Sequence, residues 1–251
     1  MKALITGASS GIGRDIARYL SSLGWETVLV ARREDRLKAL SRELDGSAFE
    51  VCDLTAEGEC ERLFEKHSDI DLLVNSAGCG VFGEFCKTDL ERERQMLSLN
   101  ITALHILTKL YAKAFVKRGE GRILNISSSA GFFSGPLFSS YYASKAYVLH
   151  LSEAISYELR KSGVNVSVFC PGPVSTEFGL ADGISDGKGA ISSKLASKRA
   201  VDGALKGKRI IYPNFQTRLL VFASRFIPRK ILLKIVEKQQ AKKTGRSCQN
   251  G

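Results

Sequence analysis

Tyr141 and Lys145 stand four residues apart in Ser140-Tyr141-Tyr142-Ala143-Ser144-Lys145-Ala146, and on a helix that spacing puts both side chains on one face. An ammonium held beside a phenol favours its ionised form. A free tyrosine titrates near ~10 and exchanges protons poorly at neutral pH, so a neighbouring cation is what makes it a usable proton donor. Ser127-Ser128-Ser129 lies upstream, and a serine hydroxyl there could hydrogen-bond an oxygen on which negative charge grows. Exposed helices carry the Tyr/Lys spacing by chance, so alone it means little.

A second motif raises its weight. Thr6-Gly7-Ala8-Ser9-Ser10-Gly11-Ile12-Gly13 follows the apolar run Lys2–Ile5 and opens into Asp15-Ile16-Ala17-Arg18-Tyr19-Leu20. Glycines between a strand and a helix allow a tight turn and close approach of a pyrophosphate, while the helix N-terminus offers amide donors and a positive dipole end. Gly7, Ser9, Ser10, Gly11, Ile12 and Gly13 are therefore candidate dinucleotide contacts. After the second apolar run, Thr27–Ala31, an aspartate would accept hydrogen bonds from the ribose of NAD and repel a 2′-phosphate. This chain has Ala31-Arg32-Arg33, and guanidiniums grip phosphate through charge-assisted pairs. The expected cofactor is NADP(H), with Arg32 the stronger candidate and Arg33 read as the opening of a solvated helix.

With these motifs in place the chain resembles the short-chain dehydrogenase/reductase family, from Lys2 to about Thr176. The family's TGxxxGxG falls on Thr6, Gly7, Gly11 and Gly13, its NNAG on Asn75-Ser76-Ala77-Gly78, and its PGxxxT on Pro171-Gly172-Pro173-Val174-Ser175-Thr176. The resemblance implies Asn100, Ser128, Tyr141 and Lys145 as the catalytic set, with Ser128 thirteen residues before Tyr141. It implies that Tyr141 is the general acid, that Lys145 also holds the nicotinamide ribose, and that Asn100 holds a water leading from Lys145 to solvent. Asp53 would touch the adenine, or cap a helix, or both. Asn75, Ala77, Gly78, Pro171, Gly172, Val174 and Thr176 complete the implied cofactor contacts. Both the spacing from Ser128 and the spacing to Lys145 select Tyr141, which leaves Tyr142 to packing.

The rest of the chain must position these groups. Strand-like runs at Lys2–Thr6, Thr27–Ala31, Phe49–Cys52, Leu72–Asn75, Arg122–Ile126 and Val164–Phe169, with helical stretches between them, predict an α/β fold with a Rossmann-like, doubly wound parallel sheet. A short strand at Arg209–Tyr212 is expected to follow. Residues 1–213 read as one catalytic domain, with 178–207, rich in glycine, serine and lysine, as a substrate lid, and 214–251 as a basic C-terminal extension. Around the site, Val81, Phe82, Phe133, Leu137, Phe138, Phe178 and Leu180 are apolar and point to a lipophilic ketone, aldehyde or alcohol.

Charge is unevenly placed. Residues 188–251 hold 16 basic and 2 acidic residues, a net +14, while residues 1–187 hold 21 basic and 24 acidic, a net −3. The tail interleaves Leu219, Phe222, Phe226, Ile231, Leu232, Ile235 and Val236 with arginines and lysines, and Pro228 should divide it into two helices. Three places for it compete: against the body as a cover over the pocket, on an anionic membrane surface, or on a protein partner such as a second copy in a homo-oligomer. Groove-reading motifs for nucleic acid are missing. The six cysteines form no CxxC pair and fit reduced thiols in a cytosol, where the protein is expected, peripherally membrane-bound if the tail so directs. His67, His105 and His150 lack zinc spacing and read as surface or helix-face histidines, so no metal is expected. A different class of function, an idle NADPH-sensing module acting through its tail, is opposed by the presence of Asn100, Ser128, Tyr141 and Lys145 together.

Overall fold

The structure is a computed structural model that describes residues 1–45, 47–178 and 190–243. In chain order it runs β1 (Lys2–Thr6), α1 (Gly11–Ser22), β2 (Glu26–Ala31), α2 (Glu34–Glu43), β3 (Ala48–Val51), α3 (Glu59–Lys66), β4 (Leu72–Asn75), α4 (Leu90–Leu97), α5 (Leu104–Arg118) and β5 (Gly121–Ile126). It continues through α6 (Ser139–Glu158), β6 (Val164–Phe169), β7 (Val174–Ser175), β8 (Ile191–Ser192), α7 (Ser193–Leu205), β9 (Ile210–Ile211), α8 (Phe215–Ser224) and α9 (Arg229–Lys243). Non-alternating apolar runs become strands buried on both faces, as in Ala3-Leu4-Ile5 and Val28-Leu29-Val30. Where apolar residues recur at helical spacing, as Ile16, Ala17 and Leu20 do in α1, one stripe is buried.

All seven long-sheet strands are parallel, in the order β3-β2-β1-β4-β5-β6-β9. The order reverses between β1 and β4, and such a switch leaves a crevice beyond the carboxyl ends of the strands. The glycine loop leaves β1 there, and Asn75–Gly78 leaves β4 beside it. Helices α1, α2 and α7 cover one face, where Leu20, Leu37 and Ala200 join a common core. On the other face, α3 and α5 pack Leu63, Leu107 and Phe115 against Leu4, Val28 and Ile123.

Two expectations need correction. The lid cannot extend from 178 to 207, because Ser193–Leu205 is helix α7 and part of the body. Its Ala196, Ala200, Val201 and Ala204 are buried, small side chains that let it lie close against α1. The Ser197 hydroxyl donates to Ile12 O at 3.1 Å, and Asp202 accepts from Tyr19 Oη at 2.7 Å. Residues 179–189, with Leu180, lie outside the described residues. Of the two readings of His67, the surface one fails: the residue caps the end of α3, is 7% exposed, and its Nε2 lies 3.1 Å from Glu50 Oε1.

The tail forms two helices parted by Pro228, α8 and α9. Its second helix is two-faced. Val236, Gln240 and Ala241 are buried and Leu232 is partly so, whereas Ile231, Leu233 and Ile235 are exposed. Leu219, Leu220, Phe222 and Phe226 on and after α8 are more than half exposed as well.

Candidate active site

The switch crevice carries the cofactor motif. Gly7 adopts φ +69°, a left-handed conformation that side chains resist, and a Cβ there would sit 2.9 Å from Ala77 N. At Gly13 a Cβ would fall 2.5 Å from Gly7 O. Loop, helix and the strand-β4 turn thus touch backbone to backbone, leaving an open cradle at the start of α1, which fits a bound pyrophosphate. Thr6 Oγ1 fixes the partner turn by accepting from Ser76 N at 3.0 Å and Ala77 N at 3.1 Å. Thr176 faces the cradle, lying 3.3 Å from a Cβ placed on Gly11.

At the end of β2 the two arginines point to different places. Arg33 reaches the glycine loop: its Nη2 donates to Ser9 Oγ at 2.9 Å and to Ser10 Oγ at 2.7 Å. Arg32 is 70% exposed and pairs with Asp53 at 3.7 Å. The reason lies in where α2 begins. Arg33 is its N-cap, so the side chain swings toward the loop instead of opening a solvated face. Asp53 caps its own turn, accepting from Thr55 N at 3.0 Å and Thr55 Oγ1 at 2.7 Å, and these bonds hold its carboxyl below the usual range.

Tyr141 and Lys145 lie on α6 and both are buried. Lys145 Nζ is 5.7 Å from the centre of the Tyr141 ring and donates to Ile126 O at 3.0 Å. The Ser128 hydroxyl lies close enough to the Tyr141 phenol to favour its ionised form. Ser128 itself is fixed from both sides, accepting from Ala130 N at 3.1 Å and donating to Pro171 O at 3.4 Å. Burial pushes the Tyr141 phenol up from its ordinary value, with the Ser128 hydroxyl opposing it, and pushes the Lys145 ammonium down to about 8. Desolvation is the largest effect on both groups. A phenol kept protonated is the form that can hand a proton to an oxygen.

Asn100 sits in a π-helical stretch, Ser98–Ala103, joining α4 to α5. Its amide accepts from Cys79 N at 3.0 Å and donates to Cys79 O at 2.9 Å and to Ser144 Oγ at 3.1 Å. The side chain is thus occupied in tying the turn after β4 to α6, one residue from Lys145. Gly78 is the close approach in this knot: a Cβ there would lie 3.2 Å from Asn100 Oδ1 and 3.4 Å from Lys145 Nζ.

Aromatic rings enclose the phenol. Phe138 stacks on Tyr141 with centroids 4.3 Å apart, Phe178 lies 5.5 Å away, and Phe82 is 5.7 Å from Phe138. Phe133 sits 6.0 Å from Tyr142, and Val81 joins the same cluster. Leu137 holds this loop in a left-handed turn at φ +65°, and its carbonyl accepts from Gly83 N at 2.8 Å. The opposite wall is the tail, in the cover position that the sequence left open as one of three, although Gln240 was not foreseen there. Leu232, Val236 and Gln240 recur every fourth residue along α9, and that stripe lies against the cluster holding Tyr141, with the Gln240 amide hydrogen-bonded to the Tyr142 phenol. The signal was the spacing, obscured because apolar residues surround α9 on almost every side.

The fold agrees with the comparisons. The short chain dehydrogenase family profile matches residues 1–182. The chain belongs to the short chain dehydrogenases. Among relatives of this family, the 3-oxoacyl-acyl-carrier-protein reductase FabG of Rickettsia prowazekii is 35% identical over 177 residues, covering 70% of this chain and 73% of the relative. A granaticin polyketide synthase ketoacyl reductase of Streptomyces violaceoruber is 36% identical, covering 69% and 68% of the two chains. Among solved structures, a short-chain dehydrogenase from Sphingobium yanoikuyae in complex with NADPH superposes with a TM-score of 0.82 at 32% identity, covering 96% of this chain and 98% of the other. The protein is an oxidoreductase of this family. Among the described residues, no cluster of His, Cys, Asp or Glu could hold a metal ion, and no helix is long and apolar enough to cross a membrane.

Proposed function

We propose that the protein is an NADP(H)-dependent reductase that interconverts a ketone or aldehyde and the corresponding alcohol on a lipophilic molecule. The observation that carries this reading is the buried Tyr141 phenol, close to Ser128, beside Lys145 and flanked by Phe138 and Phe178. Arg33 on Ser9 and Ser10 supports NADP(H) over NAD(H), as does the NADPH complex of the Sphingobium relative. Bound NADPH would supply the hydride. Ser128 and Tyr141 then bind the carbonyl oxygen with two hydroxyl donors, and Tyr141 Oη gives up its proton as charge collects there. Lys145 stabilises the phenolate left behind, and Asn100 positions Lys145 through Ser144 and the Cys79 turn. Run backward, the same groups remove a proton from an alcohol. The apolar rings of Phe138 and Phe178 beside Tyr141 support a substrate with little polar surface, of acyl, aromatic or steroid type. The names of the Rickettsia and Streptomyces relatives favour an acyl ketone among these.

The test is NADPH oxidation by the purified protein, followed by absorbance, against β-ketoacyl thioesters, aryl ketones, ketosteroids and keto sugars. Turnover of a lipophilic class with neglect of the sugars is the expected result. A preference for keto sugars would overturn the substrate class, and inertness toward every class would favour the idle sensing module.

The reading extends to the tail, which we place on an anionic membrane surface. Phe222 and Phe226 pack on each other at 5.2 Å yet are 57% and 74% exposed, and no acidic residue lies between Asp202 and Glu237. Apolar side chains among Arg218, Arg225, Arg229, Lys230 and Lys234 suit insertion between anionic headgroups. The protein should sediment with anionic vesicles at low salt, release as salt rises, and ignore neutral vesicles. Phe222→Ser/Phe226→Ser should abolish sedimentation while NADPH turnover on a soluble ketone persists. Equal sedimentation of this variant would sink the assignment.

A further inference from the structure

Arg14, Arg33 and Arg36 come from three segments, the first turn of α1, the residue capping α2, and α2 itself, yet all three meet one carboxylate. Glu177 lies 3.6 Å from Arg14 Nη1 and 3.7 Å from Arg33 Nη1, and it accepts a hydrogen bond from Arg36 Nη1. It follows Thr176, whose side chain faces Gly11 in the cradle. Arg33 meanwhile keeps its Nε and Nη2 on Ser9 and Ser10. Arg14 also pairs with Asp15 at 3.7 Å, and two carboxylates among three guanidiniums still leave positive charge and donors in excess. A phosphate monoester brings about twice the charge and three acceptor oxygens, so it can outcompete the carboxylate. The exchange still costs every Glu177 contact.

We propose that Glu177 is the internal occupant of the 2′-phosphate site: it neutralises the arginine cluster before the cofactor arrives, is displaced by the 2′-phosphate, and so sets how tightly NADP(H) is held. NADH brings no such phosphate and leaves the ion pairs in place. Glu177 therefore weakens binding of NADPH selectively and hastens departure of NADP⁺. This rests on reading Arg33 and its neighbours as the phosphate site, and the experiment separates the two.

Dissociation constants for NADPH and NADH are to be measured by fluorescence on the full chain, for the wild type, Glu177→Gln and Glu177→Asp, at low and high salt. Glu177→Gln should tighten NADPH by about threefold to tenfold, the scale of a few exposed ion pairs, and leave NADH within about twofold. The gain should shrink as salt rises. Glu177→Asp, which keeps the charge on a shorter arm, should tighten NADPH by less, and it carries the test should the glutamine variant fold poorly. Unchanged or weaker NADPH binding in both variants, or an equal gain for NADH, overturns the proposal while a wild-type preference for NADPH leaves the arginine reading standing. A wild type that binds NADPH no more tightly than NADH overturns both.

Discussion

Replacing Tyr141 with phenylalanine should reduce turnover by about 10² to 10⁴-fold, the usual worth of a positioned proton donor, while NADPH binding is unchanged. The ring stays, so its stack on Phe138 at 4.3 Å survives and the fold is not at risk. What goes is one hydroxyl, close to Ser128. The control is Tyr142→Phe, which removes the phenol bonded to Gln240. That change loosens α9 and should raise KM more than it lowers kcat. Collapse of kcat in Tyr142→Phe with survival in Tyr141→Phe would reverse the assignment of the two tyrosines.

Arg33→Ala should lower kcat/KM for NADPH by about 10 to 100-fold, the loss of one or two hydrogen bonds between charged groups, and leave NADH nearly untouched. Arg32→Ala should cost far less, since Arg32 is 70% exposed and its partner is Asp53 at 3.7 Å. Kinetics with both cofactors on both variants decide the matter. If Arg32→Ala shows the larger loss, the side chain that meets the phosphate is the one that the sequence favours, and the contact of Arg33 with Ser9 and Ser10 is merely structural.

Reading strands from this sequence worked because a parallel sheet leaves a plain trace. Lys2–Thr6, Leu72–Asn75 and Val164–Phe169 are apolar without alternation and bounded by loops. The cradle was legible for a similar reason, since Gly7 and Gly13 stand where backbones approach too closely for any Cβ. Other features left no such trace. Which of Arg32 and Arg33 turns inward depends on the residue at which α2 starts, and single-residue boundaries are not written in composition. Helix α7 is rich in alanine, serine and lysine, so it resembles a loose segment until Ala196, Ala200 and Ala204 are seen against α1. The direction of the Tyr141 shift also lies beyond spacing, because it depends on how completely Phe138, Phe178 and α9 exclude water.

Helix α9 lies downstream of every strand of the sheet, and this gives the site a history during synthesis. The sheet, the cradle and the helix that carries Tyr141 and Lys145 can all assemble while residues 229–243 are still within the ribosome, since of these only the cluster around Tyr141 and Tyr142 meets α9. A nascent chain at that stage can already take up its dinucleotide, and bound ligand then favours the folded body by mass action. The chamber wall of Leu232, Val236 and Gln240 arrives afterwards, on a scaffold that is already rigid. Biogenesis thus separates acquisition of the reductant from closure around the substrate, and a chain stalled or clipped between Pro213 and Pro228 would emerge as a dinucleotide-holding body with one side of its reaction chamber missing.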